Sequence, residues 1–424
     1  MPEPIFEPTT DAELARFLAE RSRRVRASDA AAVYAVGGRT AFSFGHLPPR
    51  QDGTLVSLRG LADVVDYPAE DMTVTVQAGL RWEELVRTLK ERGQRLPIDV
   101  SEASRATVGG VLAANVAGPR RFGHGTLRDY VIGISAVDGQ GRLFRAGGRV
   151  VKNVAGYDLC KLLIGSLGTL AIVTEVTFKV RPAAERTAFV CVRLDTPEEA
   201  ERCIEFFATR TASRPDVLDY LSGRCARHVT SDARMPEPVE APLLIIGVEG
   251  TAKAVDWQVE RICSELAELT PSAEIRVIAD RSERLLEALT EFRVSADALL
   301  TLRASLPSSC VVAFMREAER LGLSAQAHAA DGIVVGHVDD DGQTVDDLRA
   351  IVRRLRALAV RAGGGLIVEY CPDHWRLALS TWGRLPLYWP VMCRIKQQLD
   401  PAGILGPGRW PFRSEPVVLP RRSG

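Results

Sequence analysis

Three separate segments rich in glycine and other small residues lie in the N-terminal half of the chain, the first directly after a predicted strand and the third directly before one. They are Val36-Gly37-Gly38-Arg39-Thr40, residues 106–118 and residues 165–170. Paired glycines let backbone N–H groups converge on an anion, and small side chains let a phosphate or a flat ring approach the backbone closely. Each segment alone also fits a structural role, such as a tight turn or a helix packed closely on a sheet. Together they predict a trough formed where distant loops meet.

Other common ligand-binding signatures are absent from the sequence. We find no G-x-G-x-x-G after a strand, no G-x-x-x-x-G-K-[ST], no G-x-S-x-G and no H-E-x-x-H. The first three absences argue against a Rossmann dinucleotide site, a P-loop NTPase and an α/β-hydrolase, and the fourth motif is a zinc-binding pattern.

The charge balance and the cysteine content exclude further classes of protein. Basic and acidic residues balance at 54 each, so the chain lacks the basic excess of a nucleic-acid-binding protein. Eight scattered cysteines form no C-x-x-C pair. This pattern argues against zinc ribbons and cysteine-clustered iron–sulfur sites, and it favours free thiols in a reducing cytoplasm. We expect neither a transmembrane helix nor a signal peptide, because no long uncharged apolar run occurs.

The predicted elements divide the chain into two parts. Composition changes after Pro182, where glycine becomes rarer and regular strand–helix units begin. We predict a first domain at 1–185 with a C-terminal return at 389–424, and a second domain at 186–388. Within the second, residues 299–370 follow the order β-α-β-β-α-β, which makes an antiparallel sheet with helices on one face.

Hydrophobic periodicity and capping residues predict the individual elements. The Thr10-x-x-Glu13 capping box opens a first helix at 11–24, and Thr196-Pro197-Glu198-Glu199 starts another. Further predicted helices cover 81–91, 159–163, 252–269, 307–321 and 345–361. Predicted strands cover 31–36, 55–58, 73–78, 130–137, 143–145, 171–180, 187–194, 242–248, 299–304, 324–329, 332–338 and 365–370.

Two of the six histidines, His328 and His337, lie on neighbouring predicted strands. Converging imidazoles are candidate metal ligands, whereas separated ones serve packing or lie on the surface. The sequence leaves both interpretations open, and we predict no metal site.

The small-residue segments together resemble the FAD-binding domain of the vanillyl-alcohol oxidase / p-cresol methylhydroxylase (PCMH) family. The match covers about 30–182 plus 392–410. Its parts are a first pyrophosphate loop (Gly37-Gly38-Arg39-Thr40 with Gly45), a long second loop (106–110, Gly123 and 127–133), a segment along the cofactor (152–158 and 165–172) and a C-terminal signature (399–409).

The resemblance implies a fold class and a cofactor. The fold is α+β, with a two-subdomain PCMH-type FAD-binding domain and an α+β cap domain whose antiparallel sheet contains ferredoxin-like βαββαβ elements. Backbone donors of Gly37, Gly38, Thr107, Gly109 and Gly110 would hold the diphosphate. The implied FAD-binding residues are Gly37, Gly38, Arg39, Thr40, Thr107, Val108, Gly109, Gly110, Gly123, Arg128, Asp129, Lys152, Asn153, Gly156, Tyr157, Gly165, Gly168, Thr169, Ile172 and Arg409.

Within that family, 118–121, 151–158 and 165–170 are most similar to the FAD-binding subunits of glycolate oxidases. The resemblance implies oxidation of a small 2-hydroxy acid, glycolate to glyoxylate. The partners would be a catalytic flavoprotein subunit and an iron–sulfur subunit, which could also bring the chain to a membrane surface.

Departures from the family pattern bear on the chemistry. Arg39 stands where relatives with covalently bound flavin have a histidine, so noncovalent FAD is expected. An H-x-G-D-G-N-x-H stretch, associated with a substrate-orienting metal, survives only as His328 to Val335, and E-x-H-G is absent. Tyr157 and His328 are the candidate catalytic residues, each with structural packing as the alternative.

Three functions remain open from the sequence. The chain is the FAD subunit of a multi-subunit glycolate oxidase, a self-sufficient FAD-linked D-2-hydroxyacid dehydrogenase, or a flavin-holding scaffold without turnover of its own.

Overall fold

A computed structural model of the chain describes residues 5–24, 32–46, 53–116, 118–148, 158–235, 237–294 and 298–411. Within those residues the strands are β1 (Ile5–Phe6), β2 (Val33–Val36), β3 (Thr54–Ser57), β4 (Val64–Asp66), β5 (Thr73–Gln77), β6 (Gln94–Arg95), β7 (Val131–Asp138), β8 (Leu143–Gly147), β9 (Ala171–Lys179), β10 (Arg181–Pro182), β11 (Arg186–Arg193), β12 (Val217–Leu221), β13 (Leu243–Gly250), β14 (Ile275–Ile278), β15 (Ala298–Ser305), β16 (Ser324–His328), β17 (Ile333–Asp339) and β18 (Gly365–Tyr370).

The helices in the same residues are α1 (Asp11–Arg24), α2 (Trp82–Lys90), α3 (Val108–Ala114), α4 (Arg121–His124), α5 (Leu127–Tyr130), α6 (Leu159–Leu163), α7 (Pro197–Thr209), α8 (Gly223–Asp232), α9 (Ala252–Leu269), α10 (Ser282–Glu291), α11 (Val311–Arg320), α12 (Val345–Arg361), α13 (Arg376–Leu379) and α14 (Trp389–Leu399). Short 3₁₀ turns occupy Ala69–Asp71, Ser308–Cys310 and Asp373–Trp375.

The N-terminal part contains two larger sheets that share a core. A three-stranded parallel sheet has the order β1-β3-β2, and a five-stranded antiparallel sheet has the order β4-β5-β9-β7-β8. Apolar residues one helical turn apart on α1, Leu14 and Leu18, are fully buried. They pack with Val56 of β3, Val137 of β7 and Ile172 of β9, and this core joins the two sheets.

The C-terminal segment returns to this N-terminal part. Val33 of β2 forms a parallel bridge with Leu405, and both side chains lie in the shared core. The buried carboxylate of Asp400 holds the return in place, because it accepts the N–H groups of Ile404 and Leu405 at 3.1 and 2.8 Å and the ammonium of Lys396. Strand β2 is therefore held between β3 on one side and the C-terminal segment on the other.

The part of the chain from β11 to α13, which we call the cap, is built on an eight-stranded antiparallel sheet. Its strand order is β14-β11-β13-β12-β16-β17-β15-β18. Its two halves repeat one unit, the split β-α-β-β-α-β order. The second half is β15-α11-β16-β17-α12-β18, and the first is β11-α7-β12-β13-α9-β14 with the additional helix α8 between β12 and β13. In each half the first strand lies between the third and the fourth. The halves join edge to edge through β12 and β16, where Asp219 stands opposite His328.

Side chains on the second half of this sheet alternate between an apolar and a polar face. Leu300 and Leu302 of β15 point into the core formed with the helices. Thr301 and Arg303, which alternate with them along the strand, point to the opposite face, because successive side chains of a strand alternate. The same alternation puts His328, His337 and Glu369 on the polar face, although all three are buried. The face of the cap sheet that points away from the helices therefore carries buried polar groups.

The predicted α+β fold class is confirmed, and nearly every predicted element appears within a few residues of its expected bounds. The helix predicted at 307–321 begins as the 3₁₀ turn Ser308–Cys310. The first half of the cap repeat contains elements that the sequence did not predict, namely β12, α8, β14 and α10. Strand β12 lacks an apolar pattern because Asp219 lies at its centre, where it is completely buried.

Candidate functional site

The first small-residue segment follows β2 and lies directly against the second. A Cβ atom on Gly37 would lie 2.0 Å from Oγ1 of Thr107, and one on Gly38 would lie 1.8 Å from the carbonyl oxygen of Arg105. Such contacts are impossible, so both positions require glycine for the two loops to meet. Arg39 continues the turn with φ of 62° and is exposed. The structure thus brings together two loops that are distant in sequence.

The second segment forms α3, whose first turn is tied to the end of β5. Thr107 caps the helix, since its Oγ1 accepts the N–H of Gly110 at 3.3 Å. The N–H of Val108 donates to the carbonyl of Leu80 at 2.9 Å, and that of Gly109 donates to Ala78 at 2.8 Å. Val108 itself is fully buried in the core.

These bonds correct one expectation from the sequence. The N–H groups of Gly109 and Gly110, expected to hold a diphosphate, are used within the protein. The N–H groups of Gly37, Gly38 and Thr107 have no hydrogen-bond partner among the described residues. Donors for an anion therefore lie where the loops meet, whereas Gly109 and Gly110 contribute space.

A cavity of about 70 Å³ opens where the three segments meet. Gly168 and Ile172 line it from the third segment and β9, opposite Gly37, Thr107 and the glycines of α3. The described residues of its wall include no charged side chain. This smaller cavity is therefore shaped by close packing of small and aliphatic residues.

The third segment is anchored between α3 and the C-terminal return. The N–H of Gly165 donates to Leu112 at 2.9 Å, and Thr169 is buried with its hydroxyl donating to Ser166 at 2.7 Å. The buried Lys396 ammonium donates to the carbonyl of Thr169 at 2.7 Å. Burial lowers the pKa of Lys396, against the opposing effect of the Asp400 carboxylate. The return thus positions the segment that lines the smaller cavity.

Two buried arginines hold the loop that follows Thr40. Nη1 of Arg409 donates to the carbonyls of Phe42 and Phe44, both at 2.6 Å, and its guanidinium lies 4.4 Å from the Phe42 ring centre. Burial lowers the pKa of Arg409 to about 10. Arg376, which comes from the cap, donates to the carbonyls of Ser43 and Gly45. The structure therefore places Arg409 beneath this loop, as a residue that positions it.

A larger cavity of about 250 Å³ lies on the other side of α3, and Gly110 lines both cavities. Its wall on the N-terminal side includes Thr40, Ser43 and Phe44. The cap supplies the other wall, which consists of Arg293, Val294, Thr301, Glu369 and Tyr370. The larger cavity is thus formed at the junction of the two parts and is the one with charged walls.

The charged wall contains Arg293 and Glu369, both buried, and Glu369 also pairs with Arg303, whose side chain lies outside the wall and is 32% exposed. Nη2 of Arg293 donates to both oxygens of Glu369 at 2.5 and 2.6 Å, and Nε of Arg303 donates to Oε1 at 2.7 Å. Burial alone would raise the pKa of Glu369, but the two arginines outweigh it and the pKa is lowered. The carboxylate is therefore held as an anion.

The two histidines of the polar face lie apart and have separate partners. Nδ1 of His328 lies 2.8 Å from Oδ1 of Asp219, whose other oxygen accepts Gln326 at 2.7 Å. Burial alone would lower the pKa of His328, but the Asp219 carboxylate outweighs this effect, so the pKa of His328 is raised. His337 contacts Thr301 and the carbonyl of Phe292, and burial lowers its pKa.

The register places these two imidazoles at opposite ends of one hairpin, since His328 pairs with Ile333 while His337 pairs with Ser324. His328 lines a small recess behind Arg293, and the described wall of the larger cavity does not include it.

The metal that the resemblance associates with two histidine motifs does not fit this site. Val335 stands where the first motif ends in histidine, and Glu369-x-Cys371 has the glutamate of the second motif without its histidine. Both oxygens of Glu369 already accept hydrogen bonds from arginine. A cation has no open ligand set here.

A separate group of possible metal ligands lies at the junction of the two parts. Among the described residues, His124, Asp216 and Glu249 have ligand atoms within 4.8 Å of one another. Glu249 also pairs with Arg95 and with Arg120. Burial alone would raise the pKa of Glu249, but His124 and these two arginines outweigh it and lower the pKa to about 2. The guanidiniums already supply positive charge, so the group is an ion-pair network between the two parts.

Other predicted cofactor residues lie outside both cavity walls. Gly123 packs on Asp216, to which its N–H donates at 3.1 Å. Asp129 caps α5 by accepting the N–H and hydroxyl of Thr126, and Arg128 beside it is exposed. Four predicted residues lie outside the described residues: Lys152, Asn153, Gly156 and Tyr157.

The sequence analysis missed Arg293 and Glu369 of the charged wall and their neighbour Arg303. One signal was available for Arg303, because polar residues alternate with apolar ones along the second half of β15. Alternation normally indicates a solvent-exposed face, whereas here that face is covered by the N-terminal part. Arg293 follows α10 and carries no pattern of its own.

The arrangement fits FAD. Three segments of small residues enclose the smaller cavity, free N–H donors lie where two of them meet, and Gly110 connects this region to a wider cavity. An elongated ligand with a diphosphate and a flat ring system fits such a site. None of the described helices combines the length and apolar character needed to cross a lipid bilayer.

Comparisons with known proteins agree with FAD as the cofactor. The FAD binding domain family matches residues 2–147, and the family described as FAD linked oxidases, C-terminal domain, matches residues 183–410. The Glycolate oxidase subunit GlcD of Bacillus subtilis is 25% identical over 96% of this chain and 89% of its own length. The Glycolate oxidase subunit GlcE of Escherichia coli is 38% identical over 31% of this chain and 37% of its own length. D-lactate and D-2-hydroxyglutarate dehydrogenases also match.

A solved structure supports the fold. An alkyldihydroxyacetonephosphate synthase aligns with a TM-score of 0.67 at 16% identity, over 95% of this chain and 75% of that one. With a family match over more than half of the sequence, the chain belongs to the FAD-linked oxidases and is an FAD-dependent oxidoreductase.

Proposed function

We propose that this chain is the FAD-binding subunit of a complex that oxidises glycolate, or a similarly small 2-hydroxy acid, to the 2-oxo acid. Electrons would leave through a partner iron–sulfur subunit. The observation that carries the proposal is the larger cavity, which joins the small-residue cradle to a buried charged wall of the cap. Matches to glycolate oxidase subunits support the same substrate class.

The reaction removes a hydride from C2 and a proton from the hydroxyl group, which gives the 2-oxo acid, two electrons and two protons. FAD, when bound, supplies a two-electron acceptor. The chain would contribute an apolar chamber that excludes water and a positive charge that attracts a carboxylate. Thr40, Ser43 and Thr301 line the chamber and offer hydroxyl groups for orienting a small polar substrate.

The titratable groups of the larger cavity support a role within a complex. Among the described residues of the larger cavity, Glu369 is the carboxylate, and two arginines lower its pKa. A carboxylate held in that way is a weak base. His328, a candidate from the sequence, is paired with Asp219 behind this wall. The catalytic flavoprotein subunit of the complex would therefore supply the proton acceptor.

Two further features belong to the proposal. Noncovalent attachment of FAD is supported by Arg39, which stands in the first loop where covalent relatives have histidine. A cytoplasmic location is supported by the eight cysteines, all of which are free thiols.

Reconstitution tests the proposal. The chain is purified alone and together with a second flavoprotein subunit and an iron–sulfur subunit, and dye reduction is measured with glycolate and with D-lactate. We expect a yellow protein that releases its FAD on denaturation, is inert alone and gains glycolate-dependent activity in the complex. A complex containing the Gly38→Val chain is the control and should lack flavin in this subunit.

Two alternatives give different results in the same experiment. A self-sufficient D-2-hydroxyacid dehydrogenase, favoured by full-length matches to such enzymes, would reduce the dye without partners. A non-catalytic scaffold would remain yellow, and its complex would keep full activity when the chain's flavin is removed. Either outcome would overturn the proposal.

A further inference from the structure

An exposed apolar patch lies between α13 and the first turn of α14, where the chain leaves the cap. Leu387 is 95% exposed and Tyr388 is 64% exposed, and Leu385 and Val391 are exposed beside them in the sequence. We call these four side chains the 385–391 patch. Single exposed apolar residues are normal on a protein surface, whereas four within seven residues indicate an interaction site.

The backbone presents this patch in a fixed geometry. The N–H of Trp389 donates to the carbonyl of Pro386 at 2.9 Å. The N–H of Val391 donates to the carbonyl of Tyr388, also at 2.9 Å. Each proline of the segment fixes its own φ angle, and Pro390 stands in the first turn of α14. A surface that is ordered before binding loses little conformational entropy on association, which favours recognition of a folded partner.

Three tryptophans connect the patch to the walls of both cavities. The ring of Trp389 lies 5.9 Å from that of Trp410, which stacks on Trp382 at 4.1 Å. Trp410 donates to the carbonyl of Ser166, which lines the smaller cavity, at 3.3 Å. Trp382 donates to the carbonyl of Arg409 at 3.0 Å, and Arg409 holds the loop that lines the larger cavity. The patch is therefore joined to the cofactor cradle through few side chains.

The charge around the patch is positive. Between Arg376 and Leu399 the sequence contains no aspartate or glutamate. Arg384 precedes the patch, Arg394 follows it, and both are exposed. An iron–sulfur cluster held by cysteine thiolates carries a net negative charge. Exposed arginines at the rim of an interface attract such a partner and speed its encounter with the chain.

We propose that the 385–391 patch is the docking surface for the iron–sulfur subunit that accepts the electrons. Leu387 and Tyr388 form its apolar centre, and the two exposed arginines lie at its rim. The inference rests on the proposed function for the identity of the acceptor. Each oxidation of one acid molecule passes two electrons, one at a time, to the partner's clusters and releases two protons to water. Electron-transfer complexes use interfaces below about 1,200 Å², so a small patch with an aromatic centre is enough to anchor one.

Binding between separate subunits tests this docking surface. The iron–sulfur subunit used in the reconstitution is titrated into the FAD-loaded chain without substrate, and the Kd is measured by calorimetry. We expect Tyr388→Ser to weaken binding by roughly 30-fold, the effect of losing an aromatic anchor at an interface hot spot. Trp257→Ser removes an aromatic side chain that is 53% exposed on α9, and as the matched control it should change the Kd by less than about twofold.

A charge variant provides a second, independent measurement. Arg394→Glu should weaken binding by roughly tenfold at low salt and by less at high salt, because rim charges act through an attraction that salt screens. The flavin content of each variant is measured to show that the chain is folded and loaded.

Wild-type affinity for the iron–sulfur subunit in yellow Tyr388→Ser and Arg394→Glu chains would overturn the inference. It would also be overturned if Tyr388→Ser lost affinity only for the catalytic flavoprotein subunit, or only converted a dimer of this chain into a monomer. Residues 412–424, which lie outside the described residues, are the remaining candidate occupant. A chain without them that binds the iron–sulfur subunit more tightly, while Tyr388→Ser has no effect in the full chain, would assign the patch to that segment instead.

The two proposals fail separately. A complex that oxidises glycolate while Tyr388→Ser binds the iron–sulfur subunit normally would leave the proposed function standing without this inference. Binding of the iron–sulfur subunit that depends on Tyr388, in a complex that oxidises no 2-hydroxy acid, would leave the inference standing without the function.

Discussion

The two cavities of this protein lie on either side of Gly110 and are built in opposite ways. The smaller one is formed by glycine, alanine and aliphatic residues, and its described wall has no charged group. The larger one has a wall on which Arg293 and Glu369 form a buried ion pair. The first selects a ligand by shape and close approach, whereas the second selects by charge.

This difference has consequences for what a substitution does. Added atoms should damage the smaller cavity, since its loops already touch. Removed charges should damage the larger one, since breaking a buried ion pair leaves an uncompensated charge. The two kinds of change should therefore affect different measurements.

The largest effect should come from Glu369→Gln, which removes the shared carboxylate and leaves two guanidiniums facing each other. We expect the free energy of unfolding of the cap to fall by about 3–5 kcal/mol while FAD remains bound. Urea unfolding and the flavin content of the purified chain measure the two quantities. Glu240→Gln, in an exposed pair with Arg227, is the control and should change neither. Equal loss of flavin in Glu369→Gln would contradict the separation of the two cavities.

A somewhat smaller, pH-dependent effect should come from Glu249→Gln at the junction. The pKa of Glu249 is about 2 in the fold, against its ordinary value of 4.5, so its stabilisation is present above 4.5 and is lost as pH falls towards 2. The substitution should cost on the order of 3 kcal/mol at pH 7, and the difference from wild type should disappear at low pH.

Urea unfolding at several pH values checks this expectation. Glu205→Gln removes an exposed partner of Arg210 and serves as the control. A cost for Glu249→Gln that stays constant down to pH 2 would show that charge is not the cause.

The smaller cavity is tested by Gly38→Val, whose side chain would overlap the carbonyl of Arg105. Overpacking costs about 1–3 kcal/mol, so FAD affinity should fall by up to roughly 100-fold. The unfolding of the cap should hardly change. Gly148→Ala is the matched control, because a Cβ at that position meets no atom of the described residues within 4 Å. Normal FAD affinity in Gly38→Val would refute the importance of the loop contact.

The smallest effect is expected from metal removal. Since both oxygens of Glu369 are bound by arginine, treatment with a chelator should change the activity of the complex by less than about twofold. Activity is measured before and after dialysis against the chelator. Loss of activity that zinc or manganese restores would show that the larger cavity depends on a metal after all.

Much of the fold could be predicted from local patterns in the sequence. The capping boxes at Thr10 and Thr196, the alternation along β9 and the β-α-β-β-α-β order of 299–370 each depend on neighbouring residues. The small-residue loops were also recognisable, because a close backbone approach requires glycine wherever it occurs. The sequence on its own therefore determined most of the element order, the fold class and the three small-residue segments that meet at the smaller cavity.

The charges of the site could not be predicted in that way. Arg293, Arg303 and Glu369 come from the segment after α10, from β15 and from β18. Asp219 interrupts the apolar pattern of β12, and only its partners His328 and Gln326 on β16 make its burial acceptable. A charged residue has the same appearance in a sequence whether it meets water or a buried partner. Only the tertiary structure decides between them, because the energy of a charge depends on its surroundings in space.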